Sequence, residues 1–140
     1  MSIHAVSDAA SKGGGISNPI IYIDKSRIRE GQLEKLKIAM QDLAAFVEEH
    51  MPRLISYAFF LNEKQSEMTV VAVHPDSASL AFHMDEGAVE FRKFASLIEL
   101  FKIEIYGHVT AAVLERLHQK ARALGSGTVI ENELFAGFSR

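Results

Sequence analysis

Two apolar runs, RLISYAFFLN at 53–62 and EMTVVAVH at 67–74, are joined by the polar tetrapeptide EKQS. Their β-branched and aromatic content and the short joint predict an antiparallel hairpin. Alternation puts Ile55, Tyr57, Phe59 and Leu61 on one face of the first strand and Leu54, Ala58 and Phe60 on the other, so neither face is suited to water. A sheet of this kind needs cover on both sides. Amphipathic helices supply it on one, which leaves the second for a partner subunit.

The flanking segments provide those helices. PIIYID, with Pro19 at its start, reads as a first strand, and KSRIREG as the turn after it. Leu33, Leu36, Met40, Leu43 and Val47 recur at steps of three and four, which predicts an amphipathic helix ended by Pro52. After His74, a helix capped by Asp76 or Ser77 carries Leu80, Met84, Gly87, Phe91, Phe94 and Ile98, with a break expected at DEG. LFKIEIYG reads as a fourth strand, with Phe101, Ile103 and Ile105 on one face and Lys102, Glu104 and Tyr106 on the other. A third helix bears Leu114, Leu117, Ala121 and Leu124 and stops at GSG, where glycine suits a left-handed terminus, and TVIENELFAGFSR forms a last strand and tail. The order β-α-β-β-α-β is the ferredoxin-like α+β plan, an antiparallel sheet with helices on one face, here with a C-terminal α-β extension. The expected organisation is a flexible arm at 1–18, a domain at 19–107 and an extension of that domain at 108–140.

A net charge of -3 gives no general attraction for nucleic acid or an anionic membrane, and no apolar run approaches the length of a bilayer span. With no cysteine, thiolate catalysis and disulfides are excluded, and a cytoplasmic location is permitted. The first fifteen positions lack the basic start and apolar middle of a secretory signal, so a soluble protein is expected. GGG at 13–15 is not a phosphate loop, because no Gly-Lys-Ser/Thr follows it.

The stretch VHPDSASLAFH, 73–83, concentrates the polar residues whose chemistry matters most. Three readings compete. His74, Asp76 and His83 supply two imidazoles and a carboxylate, the donor set of non-haem iron sites. Alternatively His74 ends a strand, Pro75 and Asp76 start a helix, and His83 is a partly buried residue bonded to backbone. In the third, His83 borders the helix face that looks onto the sheet, while His74 shares strand parity with Met68, Val70 and Ala72. Tyr57 and Phe59 then fall on that same face in a plausible hairpin register. Burial would hold such an imidazole neutral near pH 7, available as a base.

The segment from Pro19 to Gly107, through its element order and its strand-then-H-x-D-S-x-S-L-x-x-H junction, resembles the antibiotic-biosynthesis-monooxygenase-like domains of the dimeric α/β-barrel superfamily. His83 falls on a histidine common in that family. His74 stands at the family's tryptophan position and Ala72 where an acidic residue is often found, and the chain has no tryptophan. The resemblance implies a homodimer joined through its sheets, with a small pocket between sheet and helices. It also implies oxidation of a phenolic or quinol-type aromatic by molecular oxygen, with no cofactor and no metal. On that reading His83 is the base and His74 a second donor or orienter, while Tyr57, Phe59, Phe82, Phe91, Phe94 and Tyr106 bind the small aromatic ligand. The alternative is a non-catalytic dimer that binds a small molecule or acts as an accessory protein.

Overall fold

The computed structural model describes residues 19–140, so the arm expected at 1–18 lies outside the described residues. The elements are β1 (Ile20–Ile28), α1 (Leu33–His50), β2 (Ser56–Leu61), β3 (Glu67–His74), α2 (Ser77–Glu86), α3 (Ala88–Arg92), β4 (Ile98–Tyr106), α4 (Ala111–Leu124) and β5 (Gly125–Asn132). They build one five-stranded sheet in the order β2-β3-β1-β4-β5. The first four strands are antiparallel neighbours, and β5 adds in parallel beside β4. The described part is thus the ferredoxin-like α+β plan with an appended helix and strand.

One face of the sheet carries the core. Ile20, Tyr22, Asp24 and Ser26 of β1, Met68, Val70, Ala72 and His74 of β3, and Ile103 and Ile105 of β4 are all buried. Leu36, Met40, Leu43 and Val47 of α1 pack into the same core, as the heptad-like spacing requires, together with Val113, Leu117, Ala121 and Leu124 of α4. The opposite face keeps apolar residues in partial contact with solvent, among them Ile21, Phe60 and Tyr106.

The structure corrects the sequence reading in four places. β1 runs on to Ile28 through the segment expected to turn, because Ser26 continues the inward alternation while Lys25 donates to Thr69 Oγ1 and Arg27 covers the Phe101 ring from 4.5 Å. In β4, Lys25 pairs with Lys102 but Ser26 with Leu100, so Phe101 is an extra residue at a bulge. That insertion reverses the parity: Ile98 and Leu100 point inward ahead of it and Ile103 and Ile105 after it, leaving Phe101 half-buried rather than beside Ile103 and Ile105. Ile98 therefore belongs to the strand and not to the preceding helix, which breaks at Gly87. Finally, α4 does not stop in a left-handed glycine. Gly125 is extended (φ 163°) and already pairs with Leu100, where an added Cβ would lie 2.3 Å from the Leu100 carbonyl oxygen. The last strand consequently starts three residues before Thr128.

Candidate functional site

The hairpin register pairs Tyr57 with Ala72 and Phe59 with Val70, which sets both aromatic side chains on the face that carries His74. Asp76 caps α2 by accepting from Ser79 N at 2.9 Å, and this fixes the helix so that Ser79, Leu80, His83 and Met84 face the core. The Asp76 carboxylate also takes Arg53 in a two-pronged ion pair, which holds its pKa below the usual carboxylate range. Among the described residues no group of three His, Cys, Asp or Glu side chains is placed to hold a metal ion, so His74, Asp76 and His83 do not assemble as a ligand triad.

His74 and His83 are brought together inside. They are 0% and 2% exposed, with ring centroids 5.4 Å apart. The His83 ring also lies 5.2 Å from Tyr57 and 4.9 Å from Phe91. Its Nδ1 sits 2.9 Å from the Met51 sulfur. Thioether sulfur has no proton to give, so this contact assigns the proton to Nδ1 and leaves the lone pair on Nε2. That Nε2 has no hydrogen-bond partner, nor has Nε2 of His74, whose Nδ1 meets Ser79 Oγ at 2.9 Å. Burial pushes the His83 pKa well below its ordinary value, helped by the Lys120 and His74 charges, and pushes His74 down to about 4. Both rings are therefore neutral at pH 7.

Beside the imidazoles, the core contains a cavity of about 30 Å³ lined by apolar side chains and by Asp24, Ser26 and Lys120. Tyr57, Phe59, Phe91 and Phe94 belong to this lining, and Phe59 stacks on Phe94 at 6.1 Å. His83 and His74 stand outside the lining; His83 meets it through Tyr57 and Phe91, and His74 lies behind against the His83 ring. Phe82 is 48% exposed, and Tyr106 is 37% exposed on the opposite sheet face, donating to Glu104; neither lines the cavity.

Sequence reasoning missed the charged residues here. Tyr22 Oη donates to Asp24 Oδ2 at 2.5 Å and accepts from Lys120 Nζ at 2.8 Å, and Lys120 Nζ stands 3.6 Å from the same carboxylate oxygen. The Asp24 and Lys120 side chains are only 5% and 11% exposed. Lys120 also lies 4.5 Å above the Phe91 ring and 4.9 Å above that of Tyr22. Burial raises the Asp24 pKa against the opposing pull of Lys120, and it lowers that of Lys120 against the pull of Asp24. Asp24 Oδ1 and Ser26 Oγ have no hydrogen-bond partner. The signals were present: Asp24 shares inward parity with Ile20 and Tyr22, and Lys120 interrupts the Leu117, Ala121, Leu124 stripe.

No protein-family profile and no curated protein matches this chain. Solved structures do. MupZ from Pseudomonas fluorescens superposes with a TM-score of 0.68 at 20% identity, covering 87% of this chain and 94% of its own. A provisionally named antibiotic biosynthesis monooxygenase from Bacteroides thetaiotaomicron gives 0.57 at 11% identity, over 69% of this chain and 93% of the other. Another, from Chloroflexus aurantiacus, gives 0.54 at 18%, over 66% and 95%. At these identities the likeness is one of fold. This chain has the ferredoxin-like fold found in structures of antibiotic-biosynthesis-monooxygenase-like proteins.

Proposed function

We propose that the protein is a cofactor-independent monooxygenase of a small phenolic or quinol-type aromatic, with His83 as a base and His74 as its neighbouring donor or orienter. The observation that carries this reading is His83 itself: a buried neutral imidazole with an unpartnered Nε2, set against aromatic walls. Deprotonation makes a phenol a strong enough reductant to pass an electron to oxygen. Recombination forms the carbon–oxygen bond, and loss of water from the hydroperoxide leaves a quinone. One phenol and one oxygen molecule thus give one quinone and one water. The protein's contribution is to remove a proton and to exclude solvent while the anion reacts. A cavity of about 30 Å³ holds water rather than a ring, so a substrate enters by displacing side chains, with Met68 as the adaptable part of the wall.

Oxygen uptake with a panel of hydroquinones tests the reading. A general base contributes roughly a hundredfold or more, so His83→Ala is expected to cut the rate by at least about that factor. Equal rates in wild type and variant would remove His83 as the base. Equilibrium binding of the same compounds with no uptake would favour a small-molecule-binding protein instead.

The half-exposed apolar face, with Ile21 39%, Phe60 55% and Tyr106 37% exposed, supports a homodimer formed through the sheets. Sedimentation at micromolar concentration is expected to give twice the 15.5 kDa chain mass, and Phe60→Lys to shift it toward the single chain. A single-chain mass for the wild type would contradict the dimer.

A further inference from the structure

The cavity holds an ion pair that the oxygenation chemistry does not itself require, and its arrangement is specific. Asp24 Oδ2 is held by the Tyr22 hydroxyl at 2.5 Å, with Lys120 Nζ at 3.6 Å, whereas Oδ1 of the same carboxylate has no partner. An unpartnered carboxylate oxygen in an apolar enclosure is costly unless something supplies a donor. Both Asp24 and Lys120 line the cavity, so the missing donor is one that enters it.

We propose that Asp24, Tyr22 and Lys120 form an oxyanion subsite in which the ligand's acidic hydroxyl gives its proton to Asp24 Oδ1 and the resulting oxyanion is held by the Lys120 ammonium. Charge count selects the ligand class. Before binding, the enclosure contains one carboxylate, one ammonium and a neutral guest; afterwards it contains a carboxylic acid, the ammonium and the guest's oxyanion. The sum stays zero. A guest that arrives already ionised would instead bring an uncompensated charge into a site lined mainly by apolar side chains. A simple alcohol is too weak an acid to give its proton to a carboxylate, even one whose pKa burial has raised. The fitting ligand is therefore a small apolar molecule with one hydroxyl conjugated to a ring or a double bond, a phenol or an enol. Its apolar part meets Leu43, Met68, Phe59 and Phe94. Tyr22 keeps Oδ2 and Lys120 in register, acting as a positioning residue. The subsite rests on the reading of this cavity as the substrate site, but not on oxygen chemistry.

The test uses 4-nitrophenol, whose phenolate is yellow and whose phenol is colourless, under anaerobic conditions at a pH below its solution ionisation. Binding to wild type is expected to develop the yellow band, with the probe's apparent ionisation moved down by at least about one unit, roughly tenfold in the ratio of the two forms. Asp24→Asn combined with Lys120→Met removes both charges together. That variant is expected to bind the probe colourless while still binding 4-nitroanisole, which has no proton to lose. A colourless bound probe in wild type, no binding at all, or a full yellow band in the double variant would each overturn the subsite. Should the double variant fail to fold, the wild-type spectrum decides alone. A yellow band without oxygen uptake from any quinol would retain the subsite and remove the oxygenase reading.

Discussion

Acidification from pH 7 towards pH 4 is expected to destabilise this protein steeply, with His74 alone accounting for up to about 3 kcal/mol. An unfolded chain protonates this imidazole near 6.5, whereas the folded one resists until about 4, because burial withholds the water that the cation needs. Between those values the unfolded state binds more protons, so stability is fully present above 6.5 and is lost as pH falls through the window. His83, shifted down by burial and by the Lys120 and His74 charges, adds a second contribution of the same sign. Each site contributes a slope of up to about 1.4 kcal/mol per pH unit. Asp24 opposes them. Its raised pKa makes the native state take up a proton before the unfolded chain does, so its contribution to stability grows as pH falls toward the ordinary carboxylate value of 3.8. Against it stand the two imidazoles and, nearer pH 4, Asp76 and Asp85, whose carboxylates their arginine partners hold below the usual range, so a net loss is expected. Urea midpoints measured at half-unit steps should fall across this range, and more shallowly in a His74→Asn, His83→Gln double variant. A midpoint that does not change from pH 6.5 to 4 would mean that the rings ionise freely in the native state.

Lys120→Met is the second large effect. It leaves Asp24 in the core with only the Tyr22 hydroxyl for company, and removing one partner of a buried ion pair costs about 3–5 kcal/mol. The remaining carboxylate escapes by protonation, since without Lys120 only the Tyr22 hydrogen bond opposes the desolvation that already raises its pKa. The loss is therefore greatest at neutral pH and shrinks on acidification. Asp24→Asn added to Lys120→Met should restore most of the stability at pH 7, because an amide carries no charge to solvate. The four proteins make a double-mutant cycle in urea. Losses in the two single variants that simply add would show that the pair is not coupled.

The fold was legible because alternation and helical spacing report burial directly, and the burial of Leu36, Met40, Leu43 and Val47 follows the written period. What escaped was non-local. Nothing near Phe101 signals that β1 pairs around it, since a bulge is a property of two strands. KSRI looked like a turn because its charges favour water, yet Lys25 and Arg27 occupy the outward face, where Thr69 and Phe101 receive them. A glycine at 125 after a helix suggests left-handed freedom, whereas its missing side chain is what the approach to Leu100 needs.

The site divides in the same way. Strand parity and helical spacing place His74, Tyr57, Phe59 and His83 in one region of the core, and the structure sets their rings in a chain, Phe59 against Tyr57, Tyr57 against His83 and His83 against His74. Asp24 and Lys120 are separated by ninety-six positions and belong to opposite ends of the fold, the first strand and the appended helix. Each looks alone like a polar residue on an amphipathic element. Only the closed sheet and α4 together show that they meet, and that the C-terminal extension supplies a charged group to the cavity.

On the proposed function, the hollow between sheet and helices, with its ionisable interior, holds a small aromatic molecule. A crystal structure of the protein soaked anaerobically with a hydroquinone tests this most directly. The ring is expected between Phe59, Phe94 and Met68, with one hydroxyl within hydrogen-bond distance of Asp24 Oδ1. A hydroquinone found only on the outer sheet face, with Asp24 Oδ1 still unpartnered and the hollow unchanged, would contradict it.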